Sequence, residues 1–93
     1  MIYIVTKELK IKKEEKEEFS KYIKNWIYIS KQEELNLSID GYWMSGRFII
    51  FERWSSEESF MNFSKKDWYK DFLTSIAKFT VDEMKVRKFK TVI

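Results

Sequence analysis

The side chains able to do chemistry form a short list, because this 93-residue chain has no His and no Cys. That excludes a disulfide framework, a thiolate-ligated metal or iron–sulfur centre, and a Cys nucleophile. It also excludes Ser–His machinery and an imidazole proton shuttle. Proton transfer must rest on Asp, Glu, Lys or Tyr, or on a substrate that supplies its own reactivity. Two charge clusters stand out. Glu14, Glu15, Glu17 and Glu18 have the spacing of an all-carboxylate metal site. Carboxylates at the head of a helix also complement its positive dipole end, and that reading is preferred. Lys85, Arg87, Lys88 and Lys90 run along one short segment with no intervening acid. They suit either an anionic ligand or a charged edge strand that repels stray pairing. The remaining chemical resource is aromatic: four Trp, five Tyr and eight Phe.

The elements that must position these groups can be read from periodicity. The length suits one domain, spanning residues 1–93, that buries about 65% of its unfolded surface. With 44% hydrophobic and 18% aromatic residues, apolar surface exceeds what so small a core hides, which implies an interface, a pocket or both. Net charge is only +3. The opening apolar stretch is too short for a signal peptide, and no run reaches the ~18 residues of a membrane span. A soluble, cytoplasmic protein with no membrane partner is expected.

Ile2–Ile11 reads as a strand, and from about Glu14 to Glu34 the period changes. There Phe19, Tyr22, Ile23, Trp26 and Ile27 form one helical stripe, with Tyr28 on the exposed side. Leu35–Met44 and Arg47–Trp54 flank Ser45-Gly46 as a tight hairpin. Symmetric pairing about that turn places Leu37, Ile39, Gly41 and Trp43 opposite Trp54, Glu52, Ile50 and Phe48. The other face carries Asp40 and Arg53, where an ion pair within or between chains is plausible. Both faces are substantially apolar, so both are expected to be covered. Ser55 and Glu58 read as a capping box for a short helix through Phe60 and Phe63. Asp67 reads as the cap of a helix with Trp68, Tyr69, Phe72, Leu73, Ile76 and Phe79 on one side. Glu83–Val92 is a last strand. The order predicts an α+β, ferredoxin-like fold: a four-stranded antiparallel sheet with helices on one face. The bare face is best covered by a second copy.

The run Gly46-Arg47-Phe48-Ile49-Ile50-Phe51-Glu52-Arg53-Trp54 resembles the G-R-F-x-x-x-E-R-W stretch of antibiotic biosynthesis monooxygenase (ABM) domains. The two following helices, at Ser56-Glu57-Glu58-Ser59-Phe60 and Asp67-Trp68-Tyr69-Lys70-Asp71-Phe72, and the last strand at Asp82–Phe89 are similar too. The resemblance implies a dimeric α+β barrel with a pocket in each protomer between sheet and helices. It also implies a cofactor-independent monooxygenase that oxidises a small or polycyclic phenol or quinol with O₂. Departures are specific. Lys7, Phe63 and Leu73 stand where haem-degrading members carry Asn, Trp and His, so haem is not an expected partner. Ile50 and Phe60 replace an Asn and a Tyr of the polyketide oxygenases, whereas Trp54 is kept. Asp67-Trp68-Tyr69 stands where quinol-oxidising members have a His.

If Ile50 and Trp54 face that pocket, alternation adds Phe48 and Glu52, with Tyr3, Val5, Lys7 and Leu9 from the first strand. Glu52 is then the candidate general base, Lys7 the stabiliser of a phenolate, and Trp54 a stacking wall. The candidate substrate-binding residues are Ile50, Trp54, Phe60, Phe63 and Phe72. No metal or cofactor is called for. The competing reading of Lys7 and Glu52 is a structural ion pair, with Trp54 as core. Two other functions fit the topology. One is a catalytically inactive ABM-like dimer that binds a small apolar ligand. The other is an RNA-recognition module, but Gly46-Arg47-Phe48 reverses the order that module needs and bulky aliphatics stand where small residues belong.

Overall fold

The computed structural model describes residues 1–93. The order is β1 (Tyr3–Lys10), α1 (Lys16–Ser30), β2 (Asn36–Met44), β3 (Arg47–Trp54), α2 (Glu57–Ser64), α3 (Asp67–Ile76) and β4 (Lys85–Lys90), with a 3-10 turn at Lys13–Glu15 before α1. The four strands form one antiparallel sheet in the order β2-β3-β1-β4. The α+β, ferredoxin-like arrangement expected from the sequence is therefore present, with the helices on one face.

Each element follows from local chemistry. β1 alternates strictly, with Tyr3, Val5, Lys7 and Leu9 buried and their neighbours partly exposed. Glu17 and Glu18 occupy the first turn of α1, and Glu14 and Glu15 lie in the preceding 3-10 turn, where their charge favours the positive helix end. The β2–β3 turn is the two-residue kind: Ser45 and Gly46 both have positive φ, at 51° and 80°. That twist matches right-handed strands, and Gly46 adopts it without Cβ strain. Gly41 is needed for a different reason. A Cβ there would stand 2.5 Å from Phe48 Cζ and 2.8 Å from Ile27 Cδ1, so its absence lets α1 settle onto β2.

Several expectations need correction. The hairpin pairing holds from Met44↔Arg47 to Ile39↔Glu52, then slips at a bulge between Asn36 and Ser38. Asn36, not Leu37, faces Trp54, and Leu37 is 53% exposed. The cap of α2 is Ser56, whose Oγ accepts from the Ser59 N–H at 3.1 Å; the Ser55–Glu58 box is displaced by one residue. Ser55 and Ser56 hydroxyls both bond the Ser59 hydroxyl instead. Asp67 is the first residue of α3 rather than its cap and serves as first-turn charge. Leu73 points away from the core at 43% exposure, whereas Tyr69, Phe72 and Ile76 are buried. Asp40 and Arg53 share the bare sheet face but form no ion pair within the chain; Arg53 lies over the Phe51 ring at 5.8 Å.

The core is one cluster between the helices and the sheet's inner face, built from Val5, Leu9, Phe19, Trp26, Ile50, Trp54, Phe63 and Phe72 among others. It is stitched by aromatic pairs from different elements, with Phe19 edge-on to Phe48 at 5.2 Å and Trp26 stacked on Phe72 at 4.1 Å. Such pairs are worth about 0.5–1.5 kcal/mol beyond their burial. No helix is long and apolar enough to cross a membrane.

Candidate functional site

Two charged side chains stand in this core. Lys7 and Glu52 are each fully buried. β1 pairs with β3 so that Val5 faces Glu52 and Lys7 faces Ile50. Lys7 and Glu52 are therefore diagonal neighbours on the inner face, within reach of long side chains. Lys7 Nζ donates to Glu52 Oε2. Trp54, two residues on and on the same face, donates from its indole Nε1 to Glu52 Oε1 at 2.9 Å. Both carboxylate oxygens thus hold a donor, which is what an uncompensated buried charge requires.

The ammonium is enclosed by rings from all three helices. Lys7 Nζ lies 5.5 Å from the ring centroid of Trp26, 5.4 Å from Phe60, 4.7 Å from Tyr69 and 5.8 Å from Phe72. Ring faces attract a desolvated cation, but they replace its hydration only in part. Burial accordingly pushes the Lys7 ammonium below the usual lysine range, and the attraction and hydrogen bond of Glu52 oppose that shift. Burial also pushes the Tyr69 hydroxyl well above the usual tyrosine range, with the Glu52 charge adding to it. The site therefore sets an ammonium whose charge burial disfavours and Glu52 supports beside a phenol that burial holds protonated.

The chain brings together all three of the chemical candidates read from sequence: Glu52, Lys7 and Trp54. The five candidate wall residues surround them. Ile50 is the β3 partner of Lys7, Phe60 and Phe63 lie 5.9 and 4.9 Å from Trp54, and Phe72 meets both Trp26 and Lys7. These five are at most 3% exposed and pack on one another. Sequence reasoning missed Trp26 and Tyr69 as members of the shell. Both sat in helical stripes that read as core, and nothing local marks a core aromatic that will meet a cation. Trp26 has a further peculiarity: its Nε1 is buried without a hydrogen-bond partner. No three His, Cys, Asp or Glu side chains converge anywhere in the fold to hold a metal.

The profile of the antibiotic biosynthesis monooxygenase family matches residues 2–75, from β1 through α3. No curated protein matches the chain by sequence. Among solved structures, a conserved protein from Methanosarcina mazei superposes with a TM-score of 0.91 at 18% identity, covering 98% of this chain and 93% of that one. Rv0793 from Mycobacterium tuberculosis gives 0.91 at 14% identity, with 100% and 97% covered. A structure described as an antibiotic biosynthesis monooxygenase gives 0.86 at 17% identity, with both chains covered in full. At such identities these likenesses establish the fold, and the profile match establishes the lineage. The chain belongs to the antibiotic biosynthesis monooxygenase family.

Proposed function

We propose that this protein is a cofactor-independent monooxygenase that oxidises a small or polycyclic phenol or quinol-type aromatic with O₂, using Glu52, Lys7 and Trp54. The observation that carries this reading is a carboxylate and an amine held together inside an aromatic shell. Family membership supports the reaction class. Glu52 is the general base that takes the phenolic proton, Lys7 stabilises the phenolate, and Trp54 is the stacking wall. Ile50, Phe60, Phe63 and Phe72 supply a dry boundary. A phenolate so formed gives an electron to O₂. Superoxide and the phenoxyl radical combine at an ortho or para ring carbon that bears one hydrogen, and the proton taken from the phenol completes a hydroperoxide. The C–H bond at that carbon and the O–O bond then break. Loss of water leaves a carbonyl. One oxygen atom stays in the product, the other leaves as water, and the substrate supplies all four electrons.

A second reading is favoured by the packing itself. Both Glu52 oxygens already hold donors and the wall residues fill the space between sheet and helices. On that reading the protein is a catalytically inactive dimer that binds a small apolar ligand. Oxygen consumption with a panel of quinols decides between them. On the oxygenase reading, Glu52→Gln, verified as folded by near-UV circular dichroism, lowers kcat/KM by about 10²–10⁴. Equal rates for the variant remove Glu52 as base, and no turnover by the wild type favours the inactive dimer.

The dimer itself belongs to the proposal. The outer sheet face carries Ile4, Ile49 and Phe51, with Tyr42, Met44 and Phe89 about half exposed. An apolar sheet face of this kind is suited to a second copy. Sedimentation equilibrium is expected to give a dimer at micromolar concentration; a monomer there would overturn this part.

A further inference from the structure

The cationic run of β4 resolves into separate fates once its two faces are known. Lys85 and Arg87 lie on the outer face, 3.9 and 4.0 Å from the Glu8 carboxylate. Lys90, on the inner face, lies 3.6 Å from Glu57. Lys88, also on the inner face opposite Val5, has no carboxylate within ion-pair distance. Its Nζ sits 5.7 Å from the centre of the Phe60 ring. It is the one charged side chain lining a cleft of about 460 Å³ whose other walls are Phe60, Met61, Ser64, Tyr69 and Val86. That volume is in the lower part of the range for small-molecule sites and suits one or two fused rings. The Phe60 and Tyr69 rings meet edge to face, with centroids 6.3 Å apart and planes at 84°. The same two rings contact the Lys7 ammonium. One layer of aromatic side chain therefore separates the cleft from the buried Lys7–Glu52 pair.

We infer that the cleft between α2, α3 and β4 binds an anionic aromatic molecule, its ring against Phe60, Met61, Tyr69 and Val86 and its oxyanion on Lys88. This rests on the oxygenase reading and narrows its substrate class to an aromatic that carries an anionic group in addition to the phenolic hydroxyl that Glu52 deprotonates. The anionic group is held on the outer side of the Phe60–Tyr69 layer. An isolated anion finds no apolar contact to gain from these walls, and a neutral aromatic forfeits the free cation. The absence of any carboxylate from the lining removes the repulsion an anion would otherwise meet.

The test is equilibrium binding of matched probes at low salt, measured by calorimetry. Naphthalene-2-carboxylate is compared with neutral naphthalene-2-carboxamide, and 4-nitrophenolate with neutral 4-nitroanisole. Each anion is expected to bind about five- to tenfold tighter than its neutral counterpart, with the advantage shrinking as salt rises. The pair with the larger advantage identifies the oxyanion. Lys88→Gln should erase the difference and Lys88→Arg should keep it. Lys85→Gln, whose side chain faces Glu8, should leave it unchanged. Val86→Trp, which fills the cleft, should weaken every probe. Equal binding of anion and neutral partner, or a difference that survives Lys88→Gln, overturns the inference. Anion binding that needs Lys88, together with no quinol turnover, would sink the oxygenase reading and leave this site standing.

Discussion

Glu52→Leu is expected to lower the unfolding free energy by about 3–5 kcal/mol, because it leaves the Lys7 ammonium buried and unpaired. A 93-residue protein has a total stability on the order of 5–14 kcal/mol, so the loss is a large share of the whole. The double variant Lys7→Met, Glu52→Leu should recover most of it, to within about 1–2 kcal/mol of wild type or better, since apolar groups of similar volume replace both charges. Urea unfolding of the wild type, both single variants and the double variant closes the cycle. If the double variant is as damaged as the singles, packing rather than charge holds this part of the core. The Glu52→Leu variant carries a further signature. Burial lowers the Lys7 ammonium's affinity for protons in the folded state, and this variant loses the partner that opposed the shift. The unfolded chain then binds more protons than the folded one below about pH 10.4, so stability should rise as pH is raised toward that value.

The second large effect is expected at Trp26. Its ring stacks on Phe72 at 4.1 Å and 26°, meets Phe63 at 6.3 Å, and forms one wall around the Lys7 ammonium. Trp26→Ala should cost about 3–5 kcal/mol through lost burial and the cavity left behind. Trp26→Phe should cost less, about 0.5–3 kcal/mol. It keeps a ring on Phe72 and Lys7, and the indole N–H it deletes has no partner to lose. Thermal unfolding of the two variants measures the gap. A Phe variant as damaged as the Ala variant would mean that Nε1 holds a buried acceptor in solution, such as a trapped water.

Much of the framework was legible residue by residue. Alternation in β1 and β3 separated Lys7, Glu52 and Trp54 from their outward neighbours, because a strand has a period of two and no freedom to mix faces. The stripe of Phe19, Ile23 and Trp26 identified the buried side of α1 by the same kind of arithmetic at period 3.6. Ser45-Gly46 identified the hairpin, since few pairs tolerate two successive positive φ values. Where a local signal was weaker, it slipped. Ser55 and Ser56 are equivalent cap candidates by type, and only the path of the chain leaving β3 puts Ser56 at the helix start. Leu37 lost its inward place to a register shift between Asn36 and Ser38, which the symmetric pairing read from the turn does not contain.

The sequence by itself determined the element order, the faces of the strands and the set of chemical groups available. These follow from short-range sterics and from composition, and a chain without His or Cys has few alternatives. Only the tertiary structure decided what those groups meet. Lys7 and Glu52 are 45 residues apart and pair because β3 enters the sheet beside β1. The ring shell around Lys7 draws on α1, α2 and α3, whose docking is a property of the whole core. The four cations of β4 look equivalent in the chain. Strand alternation and the positions of Glu8 and Glu57 satisfy three of them and leave Lys88 alone beside an aromatic cleft. The physical reason is common to all three cases: the energies of charges and rings depend on neighbours brought from afar by burial, and no local pattern records them.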